Sequence, residues 1–331
     1  MLSPSTLETT PAFTQQALAL DVAVETERIV AWLRQSVLQN LRRQGATIAI
    51  SGGIDSSVVL ALCIKAFGPE RVLGVLLPEK ESSAESAELA LQLAAHFGAQ
   101  SLTEDITEAL EGVGCYRRRD EAMRRVFPAY GDGWKAKIVL PGNLLDKATL
   151  NVFSLTVIDP RGESFTKRLP PREYSQIVAA TNFKQRMRMA MLYYHADARN
   201  YAVIGTANKN EYDLGFFVKH GDGGVDVSPI VHLFKTQVYQ VARHLDVPQA
   251  IQQRTPTTDT YSASSTQEEF FFRLPFEVLD MIWLGYEKGY PTQAIATALQ
   301  LAPEQIERVI ADIGAKQRAT AYLRQMALNI Q

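Results

Sequence analysis

Residues 46–57 read Ala-Thr-Ile-Ala-Ile-Ser-Gly-Gly-Ile-Asp-Ser-Ser. Ile48, Ala49 and Ile50 form a short apolar run with the character of a buried strand. Ser51, Gly52 and Gly53 follow in a turn that tolerates no bulky side chain. A helix is predicted from Asp55, with Val58, Val59, Leu60, Leu62 and Ile64 on its apolar face. Such glycines let backbone N–H groups point into one small cavity, and the new helix aims its positive end there. Ser51, Ser56 and Ser57 add hydroxyls, and Asp55 adds a carboxylate suited to a divalent cation. The cradle suits a pyrophosphate. It is not a Walker A loop, because the lysine of that pattern is absent.

Working outward, residues 21–43 carry Val22, Ile29, Val30, Leu33 and Val37 at helical spacing and end in Arg42 and Arg43. Residues 1–20 show little pattern and are expected as a loose lead-in. After the loop helix comes a second apolar run, Val72 to Leu77, stopped by Pro78. Ser82 or Ser83 with Glu85 then opens a helix through Leu89, Leu93 and Phe97 to Gly98. Strand and helix alternate with short connections, which predicts an α/β fold with a doubly wound parallel sheet and right-handed crossovers. Ligands in such sheets sit at the carboxyl ends of the strands, where residues 51–57 lie.

The rhythm breaks at about 113–171, which reads as an insertion into one domain spanning 21–331. Residues 114–137 are basic and irregular, with Arg117, Arg118, Arg119, Arg124, Arg125, Lys135 and Lys137. They are expected as a solvated or partner-facing surface; binding of RNA or a phosphate-rich substrate is the sharper option. Leu150–Ile158 and Ser164–Leu169 flank the turn Asp159-Pro160-Arg161-Gly162 and predict an inserted β-hairpin lobe. A long helix follows over 172–199, a buried strand over 200–206, a mostly irregular stretch over 207–230 and a helix over 235–245. A polar loop covers 253–268, and 270–331 form a C-terminal helical segment of the same domain with breaks at Gly289-Tyr290-Pro291 and Pro303.

The chain has 331 residues, enough for a full core, with 46% hydrophobic and 21% charged residues and a net charge of −2. That charge provides no field for general nucleic-acid binding. Cys63 and Cys115 supply neither a disulfide framework nor zinc-ligand spacing, which fits a reducing cytoplasm. No apolar run reaches the roughly 18 residues of a membrane span, and no signal peptide is legible in the first twenty residues.

The string Ser-Gly-Gly-x-Asp-Ser at 51–56 resembles the signature of the PP-loop ATP pyrophosphatases, which cleave ATP between its α and β phosphates. That resemblance implies an adenine nucleotide alpha hydrolase-like fold and leaves the acceptor open. A second set of residues narrows it. Asn-x-Lys-x-Arg-x-Arg-Met at 182–189, Gly205-Thr206, Glu211, the glycine-rich acidic loop 215–226, Lys235-Thr236-Gln237-Val238 and Pro256-Thr257-Thr258-Asp259 together resemble NAD synthetase, in the family's order. Coverage runs from about 25 to 112 and from 172 to 320.

The resemblance implies that Ser51, Gly52, Gly53, Asp55, Ser56 and Ser57 bind ATP together with Thr206, Lys235 and Thr257. It implies catalytic roles for Asp55, Lys235 and Thr206, Mg²⁺ on Asp55 and Glu211, and substrate contacts from Arg186, Lys219 and Asp226. The activity implied is amidation of nicotinic acid adenine dinucleotide (deamido-NAD) through an acyl-adenylate, releasing AMP and pyrophosphate. No fused amidohydrolase domain with a nucleophilic cysteine is present, so free ammonia or a separate glutaminase subunit is expected. A homodimer is implied as well. Val218 and His220 replace the Thr and Tyr common in the family, and the nearest match to its C-terminal basic cluster is Ala315-Lys316-Gln317-Arg318. These departures fall on the acceptor side. An amidoligase for another carboxylate therefore stays open, as does a tRNA-modifying enzyme, for which Cys115 is the candidate sulfur carrier.

Overall fold

The structure, a computed structural model, describes residues 12–140, 142–146, 152–257, 261–263 and 265–330. The chain runs α1 (Val22–Arg34, extended to Asn40 by a π-helical turn), β1 (Ala46–Ala49), α2 (Ile54–Phe67), β2 (Val72–Leu76), α3 (Ala84–Phe97) and β3 (Gln100–Thr103). It continues through α4 (Thr107–Gly112), α5 (Cys115–Val126), β4 (Lys135–Val139), β5 (Ser154–Ile158), β6 (Ser164–Arg168) and α6 (Pro171–Asp197). After β7 (Ala202–Val203) come α7 (Lys209–Leu214), α8 (Lys235–His244), α9 (Gln249–Gln253), α10 (Phe276–Glu287), α11 (Thr292–Leu299) and α12 (Pro303–Ala319).

The central sheet is parallel, in the order β3-β2-β1-β7. Alternate residues along its strands enter two different cores, because successive side chains of a strand point to opposite faces. Ala46, Ile48, Val72, Leu76, Ala202 and Ile204 join α1, α2, α3 and α8 on one side. Leu73, Val75 and Val203 join α4, α5 and α6 on the other. This double covering is why β1, β2 and β7 are largely apolar, while the edge strand β3 (Gln-Ser-Leu-Thr) is mostly exposed. Among the described residues no helix is long and apolar enough to cross a membrane.

Three stretches differ from expectation. The basic segment is ordered: α5 packs on α6, with Arg119 buried and Arg117, Arg118, Arg124 and Arg125 exposed. The hairpin β5-β6 gains a third antiparallel strand, β4, giving the order β4-β5-β6. In β4 the buried Ala136 and Ile138 alternate with Lys135 and Lys137, a period of two that the lysines obscure in the sequence. Finally, within the expected lead-in, Phe13 and Leu18 are buried against the C-terminal helices around Trp283. Two apolar residues without periodicity give no local signal of such docking. Leu150 and Asn151 of the expected hairpin lie outside the described residues.

Candidate active site

The turn after β1 takes the conformation its glycines demand. Gly52 has φ +72°, and a Cβ there would lie 2.6 Å from Ser86 O and 3.0 Å from Leu89 Cβ of α3. Gly53 caps α2, and the amides of the first helical turn have no partner inside the helix. Ser56 and Ser57 both donate to Gly53 O, at 3.0 and 2.8 Å. Ser51 is exposed, whereas Ser57 is fully buried and touches the loop through that carbonyl. Gly52→Ala should cost at least about 1–2 kcal/mol from the left-handed backbone alone, with the contact to α3 added. Urea denaturation and ATP cleavage should both register the loss; an unaltered protein would show that the turn has slack.

Below the loop, Asp55 Oδ2 lies 2.5 Å from Lys235 Nζ, and Asp55 Oδ1 accepts from Asn208 Nδ2 at 2.9 Å. Asn208 and Glu211 form a capping box on α7: Asn208 Oδ1 accepts from Glu211 N and Glu211 Oε2 from Asn208 N. Gln267 bridges the two charges, donating to Glu211 Oε1 at 3.1 Å and accepting from Lys235 Nζ at 3.5 Å. Lys235 is fully buried at the first position of α8, where the helix dipole opposes a cation. Burial alone would lower its pKa, but Asp55 and Glu211 hold the proton and raise it. Burial and the Asp55 charge push the Glu211 carboxyl up to about 8. The ammonium therefore pairs with Asp55, and the Glu211 carboxyl is joined to it through Gln267.

Asp280 sets the relative position of α7 and α8. It is fully buried and accepts from Asn210 Nδ2 at 2.5 Å, Thr236 N at 2.9 Å and Thr236 Oγ1 at 2.8 Å. Asn210 Oδ1 in turn accepts from Lys235 N at 2.9 Å. Burial pushes the Asp280 carboxyl up to about 6, so the folded chain keeps its proton where the unfolded chain has lost it. Stability is consequently lost as pH rises from the ordinary carboxylate range through about 6 and is level above that. Relative to Asp280→Asn, the natural chain should lose on the order of 3 kcal/mol between about pH 4 and pH 7. Urea denaturation across that range measures it, and a difference independent of pH would contradict the assignment.

The expected substrate contacts divide into two places. Arg186 and Lys219 meet: Arg186 Nε donates to Lys219 O at 3.3 Å. Lys219 Nζ donates to Tyr322 O and Gln325 O of the C-terminal segment, at 3.0 and 2.8 Å. A cavity of about 170 Å³ lies there, lined by Tyr212, Phe217, Lys219, His220 and Arg324 among others. Asp226 instead sits against β7, accepting from Val203 N and Tyr193 OH, both at 2.9 Å. Thr206 is half-buried just beyond β7, and Thr257 bridges to Thr266. Thr258 and Asp259 lie outside the described residues. Lys316 is turned inward, donating to Phe271 O and pairing with Asp312, each at 2.8 Å.

One constellation has no signal in sequence spacing. Lys184 Nζ donates to Glu79 Oε1 at 2.9 Å and Glu81 Oε2 at 2.6 Å, while Tyr116 OH donates to Glu79 at 2.7 Å and Arg119 Nη1 to Glu81 at 2.6 Å. These bonds tie the loop after β2, at the carboxyl edge of the sheet, to α5 and α6.

A parallel sheet with this loop at the carboxyl end of a central strand, backed by a buried lysine and two carboxylates, defines a nucleotide-binding α/β protein of the PP-loop ATP-pyrophosphatase class. The family model described as NAD synthase matches residues 25–124 and 143–326. The chain belongs to the NAD synthase family. The NH(3)-dependent NAD(+) synthetase of Mesorhizobium japonicum is 52% identical over 306 residues, covering 92% of this chain and 96% of that protein. That of Rhizobium rhizogenes is 44% identical over 330 residues, covering 100% and 99%. The solved NAD+ synthetase from Burkholderia pseudomallei is 25% identical with a TM-score of 0.56, covering 92% of this chain and 91% of its own. The family model leaves residues 125–142 unmatched, and the Rhizobium rhizogenes alignment runs over 100% of this chain, 113–171 included.

Proposed function

We infer that the chain is an ATP-dependent carbon–nitrogen ligase that amidates deamido-NAD with ammonia to NAD, releasing AMP and pyrophosphate. The observation that carries this is the Lys235–Asp55–Glu211 cluster under the Ser51–Ser57 turn, in a chain of the NAD synthase family.

A carboxylate is a poor electrophile, because its leaving group would be oxide. Attack of the nicotinate carboxylate on the α-phosphorus of ATP converts it to an acyl-adenylate and expels pyrophosphate. Ammonia then attacks the acyl carbon and AMP leaves. The chain's part is electrostatic: Lys235, held protonated, and the first-turn amides of α2 face the charge that grows on the departing pyrophosphate. Thr206 and Thr257 complete the ATP side of the reading, and Arg186, Lys219 and Asp226 the dinucleotide side. Asp55 and Glu211 are hard oxygen donors, and with one ammonium between them the second carboxylate is costly to ionise, so the pair fits Mg²⁺. Bound there, Mg²⁺ would neutralise phosphate charge.

The tRNA-modifying alternative loses its carrier. The Cys115 thiol is buried, donates to Ala180 O at 3.3 Å and has its pKa raised by that burial. The homodimer is part of the same reading, and light scattering would test it. The decisive assay supplies Mg-ATP, ammonium and deamido-NAD and follows products by mass spectrometry. Equal NAD, AMP and pyrophosphate are expected. AMP without NAD would keep the ATP half and overturn the acceptor; no ATP cleavage would sink the reading entirely.

A further inference from the structure

The opposite end of the sheet carries a second concentration of charge. Arg42, Arg43 and Gln44 lead into β1, Arg71 into β2 and Tyr201 into β7, and these strands are neighbours in the order β2-β1-β7. With Leu38 they line an open depression of about 520 Å³ at the amino ends of the strands. The phosphate loop leaves the carboxyl end of β1, so this depression is separate from the active site.

Three features distinguish it from scattered surface arginines. First, Arg42, Arg43 and Arg71 line the same depression, and neither Arg42 nor Arg71 has a carboxylate partner among the described residues. Second, Arg43 is oriented by a neutral acceptor, donating to Asn200 Oδ1 at 2.7 Å, while Gln44 N donates to Asn200 O at 2.8 Å. Third, the backbone is held in an unfavourable form for these side chains. Arg42 has φ +53° and Asn200 φ +55°. Arg42 follows the helix end at the position where glycine is favoured, and Arg43 N closes it by donating to Val37 O at 2.8 Å.

We propose that this depression binds a phosphate-bearing small molecule, with Arg42 and Arg71 taking phosphate oxygens and Arg43 fixing their orientation. Guanidinium groups match phosphate by paired N–H donors and stay charged at all relevant pH. The volume lies in the range of small-molecule sites, about 300–1,000 Å³. The source is either inorganic pyrophosphate or a nucleotide such as AMP. The proposal does not rest on the ligase reading, since the site shares no residue with it.

Calorimetric titration of the whole protein with pyrophosphate or AMP, its active site saturated by a non-hydrolysable Mg-ATP analogue, tests this. One further equivalent should bind, and Arg42→Ala/Arg71→Ala should weaken it at least about tenfold with turnover unchanged. Arg42→Gly, which relieves the left-handed backbone, should melt no lower than the natural chain yet bind more weakly, separating binding from folding. Tighter binding of AMP identifies the organic source, and tighter binding of pyrophosphate the inorganic one. No binding of either beside the analogue, or equal binding by the double variant, overturns the proposal.

Discussion

Asp55→Ala is expected to lower ATP cleavage by about 10³-fold or more while leaving a folded chain. The carboxylate is the partner of Lys235 at 2.5 Å and of Asn208 at 2.9 Å, so its removal frees both from the position that faces the phosphates. Losing one partner of a buried ion pair usually costs about 3–5 kcal/mol. Here the cost should be smaller, because Glu211 is available as a second partner. With the Asp55 charge gone, the repulsion that helps hold the Glu211 carboxyl near 8 is removed, and Glu211 ionises against Lys235. Fold is rescued and chemistry is not. Rapid-quench measurement of AMP formation beside urea denaturation separates the two; activity above a tenth of the natural chain would remove Asp55 from the mechanism.

Lys184→Met should be the most destabilising single change outside the site, by about 3–5 kcal/mol. The ammonium is 1% exposed and faces Glu79, whose side chain is 0% exposed. Methionine keeps the packing but leaves Glu79, among the described residues, with the Tyr116 hydroxyl and the Glu81 amide as donors, and Glu81 with Arg119. Adding Glu79→Gln to that variant removes the stranded charge and should recover much of the loss, a comparison that a double-mutant cycle quantifies. If the single variant is as stable as the natural chain, the cluster is not ionised as drawn. Because Arg188 Nε also holds Leu77 O at the end of β2, turnover should fall with stability in the same variant.

Local spacing determined a good deal. The loop at 51–57 predicted a strand, a turn and a helix, and the structure has β1, φ +72° at Gly52 and α2 in that order. The capping box at Asn208 and Glu211 is also a local pattern, Asn-x-x-Glu, yet the short helix it opens lies inside a stretch expected to be mostly irregular. Lys235 stood out as a motif residue, and the structure puts it on Asp55.

What the sequence could not show was the company each charge keeps. Asp55 and Lys235 are 180 positions apart, Lys184 and Glu79 105, and Asn210 and Asp280 70. The lysines of β4 hid a strand, and the arginines before β1 and β2 gave no hint of one shared depression. Periodicity and turn chemistry record how a backbone folds over a few residues. Only the packing of distant elements decides which ionised groups are dried, paired or left facing one another, and that is where the chemistry of this chain resides.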